Sequence, residues 1–204
     1  MAKAARHRAS KLKRRKAFRD PRAVFHLFSE GKNSEPLYFG ALGRILKNSV
    51  IRFIRTGASP DALVKYAISE ARSRGVEFTK GDQVWIIFDR DEHAHFDAAI
   101  EACDRNNFKV ARSNPCFEVW LILHVEDFHR PDGRDEVYKH FCNLRPDYKE
   151  GKGRECNFSE LIGSIQTAEE RAEKQLEQRR REGAPFGRPS TTVHELTRTL
   201  RARG

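Results

Sequence analysis

The feature of this sequence that most constrains its fold is a regular alternation of two patterns between residues 23 and 126. Short apolar runs are typical of buried strands, and segments with apolar residues on one side are typical of helices. The strand patterns cover 24–29, 50–55, 84–88 and 108–111, and the helical patterns cover 35–47, 60–74, 96–106 and 116–124. The order βαβαβαβα predicts an α/β, Rossmann-like domain with a mostly parallel four-stranded sheet flanked by helices.

The remaining C-terminal part, residues 127–204, is predicted to be a helical extension packed on that domain. Its longest helical pattern covers 157–181, where Asn157 and Glu160 have the spacing of a capping box. A shorter helix is predicted to begin after Thr192. The expected organisation is therefore a basic arm (1–22), an α/β domain (23–126) and the extension.

The positive charge of the chain is concentrated in residues 1–22. This arm holds ten Lys and Arg side chains and one acid, so its net charge is +9, and the net charge of the whole chain is only +10. Segments of this composition stay disordered until they meet a polyanion, so we expect Arg14, Arg15 and Lys16 to contact phosphates of a nucleic acid. A solubilising tail is the alternative interpretation.

Several classes of protein are excluded by composition. No apolar run has the roughly 18 residues of a membrane span, and no apolar segment follows the basic N-terminus as in a secretory signal. The four cysteines form no CxxC pair, which disfavours a zinc site or a disulfide framework. We therefore expect reduced thiols, a cytoplasmic location and no association with membranes.

Acidic residues follow two of the predicted strands where those strands end. Glu30 comes after the first strand, and Asp89 and Asp91 come after the third. The carboxyl ends of parallel strands meet at one edge of a sheet, so these carboxylates can converge if the two strands are neighbours. Crowded carboxylates repel one another unless a cation neutralises them, and oxygen ligands suit Mg²⁺ or Mn²⁺. Plain loop acids are the alternative interpretation.

Other polar residues could belong to the same edge of the sheet. Ser113 and Asn114 end the fourth strand and could contact a substrate. Lys32 could touch a phosphate or could be an ordinary loop lysine. His93 could support the site or face solvent, and Glu118 could be paired structurally or lie near the site.

These residues together resemble a known family. Glu30, Gly31 and Glu35 after the first strand, with Asp89 and Asp91 after the third, resemble the Toprim domain of topoisomerases, bacterial primases and OLD-type nucleases. The sequence is more similar to RloB-like proteins. The matching segments are SEGKNSEPLYF (29–39), FDRDEHAHFDAAI (88–100), ARSNPCFEVWLILH (111–124) and PSTTVHEL (189–196).

The resemblance implies a Toprim-like fold and Mg²⁺-dependent phosphodiester chemistry. Glu30 would act in proton transfer or as a metal ligand, Asp89 and Asp91 would bind the metal, and Glu35 would support them. A topoisomerase would need a separate DNA-gripping domain with a nucleophilic tyrosine, for which 204 residues leave no room. A primase would bring a zinc module, which the cysteine spacing disfavours. Metal-dependent hydrolysis of nucleic acid is the remaining enzymatic interpretation.

The same resemblance implies a biological setting and partners. RloB-like proteins are associated with bacterial restriction, anti-phage defence and abortive-infection loci, often near an ATPase. The expected partners are DNA or RNA, such an ATPase, and further copies of this chain. A non-enzymatic protein that binds nucleic acid or regulates a partner through this fold is the alternative function.

Overall fold

The computed structural model describes residues 23–31, 33–46, 50–55, 59–90, 96–149 and 156–202. Strands and helices alternate as far as the fourth strand, and helices dominate after it. The strands are β1 (Val24–Ser29), β2 (Val50–Arg55), β3 (Gln83–Asp89), β4 (Lys109–Asn114) and β5 (Ser190–Thr191). The helices are α1 (Ser34–Leu46), α2 (Pro60–Ser73), α3 (Phe96–Arg105), α4 (Glu118–Leu123), α5 (Arg134–Leu144), α6 (Pro146–Lys149), α7 (Phe158–Ile162), α8 (Ile165–Arg181) and α9 (Val193–Ala202).

The strands form one sheet in the order β2-β1-β3-β4-β5. Strands β1 to β4 pair in parallel, as the alternating pattern predicts, whereas β5 pairs with β4 in antiparallel orientation. The prediction of a mostly parallel α/β sheet flanked by helices is confirmed. The prediction of four strands is wrong by one, because two residues of β5 are too few to show a period-two pattern.

Helices cover both faces of this sheet because side chains alternate along each strand. Leu27 and Ile87 point into a core that includes α1, α4, α5 and the helices after residue 157. Ile86 and Phe88 point the other way, into a smaller core with α2 and α3. The C-terminal helices therefore share the larger core with the sheet.

Helix α4 lies at the centre of the larger core. Its residues 119–123 are all buried, with at most 1% of any of them exposed. A helix that is apolar on every side has no solvent face, so neighbours must cover it all round. Helices α5 and α8 pack against it, and β4 precedes it. This packing brings the start of α4 and the start of α5 to the same end of the sheet.

The predicted helix over 157–181 is wrong in one respect, since it is two helices. Helix α7 ends at Ile162 and α8 begins at Ile165, with Gly163 and Ser164 between them. Ser164 turns its hydroxyl to the carbonyl oxygens of His124 and Leu161, at 2.8 and 2.9 Å. The predicted cap is present, because Asn157 accepts a hydrogen bond from the backbone N–H of Glu160 at 3.3 Å.

None of the helices within the described ranges combines the length and the hydropathy needed to cross a membrane.

Candidate functional site

The neighbouring carboxyl ends of β1 and β3 define the candidate site. The chain leaves β1 towards β2 on one side and later enters β3 on the other, so the order of strands reverses between β1 and β3. In open α/β sheets, ligands bind in the crevice at such a point. Glu30 directly follows β1, and its backbone N–H donates to the carbonyl oxygen of Ile87 on β3 at 3.2 Å. Asp89 is the last residue of β3.

A cavity of about 230 Å³ opens at this point. It is lined by residues from the β1–α1 loop and the first turn of α1, from the end of β3, from the start of α4, and from the helical extension. They are Gly31, Asn33, Ser34, Glu35, Asp89, Phe117, Glu118, Arg134, Tyr138 and Tyr148.

Glu35, Asp89 and Glu118 all line this cavity, and Glu30 is near enough for its charge to raise the pKa of Glu35. Glu35 lies in the first turn of α1 and is 5% exposed, and Glu118 is the first residue of α4. Burial, followed by the charges of Glu118 and Glu30, raises the pKa of Glu35 to about 7. Burial, followed by the charge of Glu35, raises the pKa of Asp89 well above its usual range. The carboxyl groups are thus close enough to oppose one another's ionisation.

Gly31 allows Glu35 to occupy its buried position. A Cβ atom at residue 31 would lie 2.0 Å from Oε2 of Glu35, far inside any contact distance. A side chain at residue 31 would therefore displace the Glu35 carboxylate from its present position beneath the loop after β1.

Arg134 supplies a positive charge to these acids. It is the first residue of α5, and its guanidinium donates from Nη2 to Oδ2 of Asp89. The side chain of Arg134 is 48% exposed, whereas that of Asp89 is 15% exposed. The charge of Arg134 lowers the pKa of both Asp89 and Glu35 but does not cancel the effect of burial.

A hydrogen-bonded chain fixes the Glu118 carboxylate. Tyr148 on α6 donates its hydroxyl proton to Oε1 of Glu118 at 2.5 Å, and Ser34 lies 2.6 Å from the same hydroxyl. Since Tyr148 has one proton and gives it to Glu118, Ser34 is the donor in the second bond. Burial and the Glu118 charge raise the pKa of Tyr148, so it stays protonated.

Sequence reasoning missed Arg134, Tyr148 and Ser34. Arg134 is one of 39 Lys and Arg residues, and no local pattern distinguishes it. Tyr148 lies in a polar segment, residues 145–156, that has no apolar periodicity. The packing of α5 against α4 and of α6 against α5 brings Arg134 and Tyr148 to the strand ends.

Other predicted residues have different surroundings. Ser113 bonds to Thr191 of β5 through its hydroxyl at 2.9 Å, and Asn114 donates to the carbonyl oxygen of Phe186 at 2.7 Å. Both therefore hold the segment around β5, and their contact with substrate stays a prediction. The remaining predicted residues, Lys32, Asp91, His93, Arg14, Arg15 and Lys16, lie outside the described residues.

The donors suit a hard divalent cation in their chemistry, because they are carboxylate oxygens that repel one another. As they stand, however, no three Asp, Glu, His or Cys side chains of the described ranges are grouped as metal ligands. Arg134 occupies one oxygen of Asp89, and Asp91 is outside those ranges. A bound cation would thus require a rearrangement of Arg134 and the acids.

The mostly parallel sheet and the acids at its central strand ends define a Rossmann-like α/β protein with an acidic cleft. Residues 25–200 match the family model of the RloB-like proteins. The chain therefore belongs to the RloB-like protein family. No curated protein and no solved structure matches it in the comparisons made.

Proposed function

We propose that this RloB-like protein is a Mg²⁺- or Mn²⁺-dependent nuclease that hydrolyses phosphodiester bonds of nucleic acid in an anti-phage defence system. The observation that carries the proposal is the convergence of Glu30, Glu35, Asp89 and Glu118 where β1 and β3 end. A structural role alone would not require four acids beside one arginine, because burying carboxylates is unfavourable. The Toprim-like arrangement of Glu30 with Asp89 and Asp91 belongs to the same proposal.

In this proposal the acids hold the cation and Arg134 contacts the substrate. Asp89 and Glu30, with Asp91, would bind the cation, which when bound supplies Lewis acidity that activates water and offsets charge at phosphorus. Arg134, released from Asp89, would offer its N–H groups to the phosphate oxygens. Glu35, whose pKa is about 7, can hold or give up a proton near neutral pH. Tyr148 keeps Glu118 oriented.

A second candidate function is non-enzymatic binding of nucleic acid or of a partner. The ion pair between Arg134 and Asp89 favours it, because a positive side chain already compensates the acid that a cation would need. The two candidates differ in whether the wild-type protein cuts nucleic acid.

The direct test is a cleavage assay on single- and double-stranded DNA and RNA. The full-length protein, with the ATPase encoded beside it if there is one, is expected to cut at least one substrate with Mg²⁺ or Mn²⁺ and none in EDTA. Metal dependence is expected because water alone is a poor nucleophile towards a phosphodiester. Metal-independent cleavage, or no cleavage of any substrate, would contradict the nuclease proposal.

Metal binding can be measured separately from cleavage. Mn²⁺ at a concentration of about 100 times its Kd should stabilise the fold by about 2.7 kcal/mol, which corresponds to a Tm increase of roughly 5–10 °C. Asp89→Asn should lose this increase, whereas Asp135→Asn, an exposed acid next to Arg134, should keep it. Equal Tm increases in the two variants would remove Asp89 from the metal site.

A further inference from the structure

A second cavity lies along the outer edge of β4, apart from the acidic cleft. Its volume is about 480 Å³, and it shares no lining residue with the cavity at Asp89. Helix α3 forms one wall through Ile100, and α8 and α9 form the other through Leu176 and Glu195. Small-molecule sites have volumes of about 300–1,000 Å³, so this cavity has the size of a nucleotide site rather than of a site for a single small ion.

Arg112 of β4 is one of the charged residues that line this cavity. Its guanidinium stacks on the ring of Phe186, 3.1 Å from the ring centre, and lies 5.8 Å from that of Phe96. Within the described part of the chain, its side chain forms no hydrogen bond and no ion pair. Burial, followed by the charge of Arg90, lowers the pKa of Arg112 to about 10.

Neighbouring arginines show what a purely structural role would look like. Arg90 donates from Nη1 to the carbonyl oxygen of Phe186 at 2.7 Å. Arg179 donates from Nη1 to the carbonyl oxygen of Arg188 at 2.9 Å. Both thereby satisfy part of their guanidinium groups in the protein, as buried donors do. Arg112 instead has its flat face against Phe186, an arrangement that leaves the N–H edge for a two-point contact with a phosphate.

Other residues that line the cavity provide a second cation, a carboxylate and two apolar side chains. Lys109 adds a second cation, with its ammonium 5.3 Å from the centre of the Trp85 ring. Glu195 also lines the cavity; burial raises its pKa, and the charge of Arg112 acts in the opposite direction. A carboxylate can accept hydrogen bonds from base N–H groups, and the apolar side chains of Ile100 and Leu176 can face an aromatic ring.

We propose that this cavity binds a nucleotide, either free or as one unit of a nucleic-acid strand. The phosphate would lie on Arg112 and Lys109, and the base would lie between the apolar walls with its N–H groups directed to Glu195. The site is independent of the proposed nuclease chemistry, because it uses neither the metal nor the acidic cleft.

The test is a binding measurement by calorimetry on the full-length protein in EDTA, so that metal-bridged binding at the acidic cleft does not contribute. The probes are AMP, GMP, CMP, UMP, inorganic phosphate and short oligonucleotides of DNA and RNA. We expect at least one mononucleotide or oligonucleotide to bind more tightly than inorganic phosphate. Binding of a mononucleotide identifies a free nucleotide as the ligand. Oligonucleotide binding without mononucleotide binding identifies a strand if Arg112→Gln weakens it, because binding through the basic arm does not depend on Arg112.

Substitutions in the cavity test whether the nucleotide binds there. Arg112→Gln should weaken it at least about tenfold, because a charge-assisted two-point contact is lost. Arg181→Ala, on a side chain at the end of α8 that is 77% exposed, is the matched control and should bind as the wild type does. Asp135→Asn, on an exposed acid that lines neither cavity, is a second control and should also bind normally.

Lys109→Ala and Glu195→Gln keep the proposal testable if Arg112→Gln does not fold, as circular dichroism would show. Each should weaken nucleotide binding through a different part of the ligand. No binding of any probe, phosphate binding as tight as that of every nucleotide and oligonucleotide, or unchanged binding in the folded cavity variants would each overturn the proposal.

Discussion

Replacing Glu30 by Gln is expected to lower the rate of metal-dependent cleavage by about 10²–10⁴-fold while leaving the affinity for nucleic acid nearly unchanged. Gln keeps the size and the hydrogen-bonding capacity of Glu but cannot carry the charge or take up a proton. Asp89→Asn should have a loss of similar size because it removes a proposed ligand of the cation. The rate is measured with the substrate, metal and partner for which the wild-type protein is active.

Two exposed acids provide matched controls for these variants. Asp135→Asn makes the same chemical change as Asp89→Asn, next to Arg134 but outside the lining of the acidic cleft. Glu101→Gln makes the same change as Glu30→Gln on the surface of α3, where the side chain is 71% exposed. Both should cleave at the wild-type rate. Cleavage that survives both Glu30→Gln and Asp89→Asn would place the active site elsewhere or identify a contaminant.

Glu35→Gln is expected to change how the stability of the protein depends on pH. The pKa of Glu35 is about 7 in the folded protein against an ordinary value of 4.5, so the folded state keeps a proton that the unfolded chain loses. A raised folded-state pKa means that stability is highest below the unfolded pKa and falls as pH rises towards 7. The fall due to Glu35 is on the order of 1–3 kcal/mol in the free energy of unfolding.

The variant should therefore be more stable than the wild type at about pH 8, and the difference should shrink towards about pH 4. Urea unfolding in EDTA across this range measures both curves. Glu101→Gln should run parallel to the wild type, because its exposed side chain has the same solvation in both states. Parallel curves for Glu35→Gln and the wild type would show that Glu35 is not held as a buried carboxyl.

The strand ends were the most predictable part of the site. Glu30 and Asp89 could be placed at one edge because an acid directly after a parallel strand has little freedom in where it lies. The burial of Glu35 was not predictable, since it depends on how α1 packs against the loop at Gly31. Arg134 and Tyr148 were missed because their positions follow from contacts between distant segments, which leave no local period in the sequence.

The same distinction applies to the fold. The parallel strands β1 to β4 each contain a run long and apolar enough to be recognised. Strand β5 has two residues, and its place is set by the hydrogen bond from the Thr192 N–H to the carbonyl oxygen of Arg112 at 2.8 Å. At the division between α7 and α8, the hydroxyl of Ser164 donates to the carbonyl oxygen of His124, which lies in another part of the chain.

The acidic cleft is assembled from segments that the ribosome produces at different times. Glu30, Glu35, Asp89 and Glu118 are synthesised first, and Arg134 and Tyr148 follow later along the chain. A nascent chain that has emerged only through α4 therefore carries acids without the arginine that pairs with Asp89 and without the tyrosine that orients Glu118. Completion of the cleft is delayed until α5 and α6 dock, so translation itself sets the earliest moment at which the protein can have a finished site.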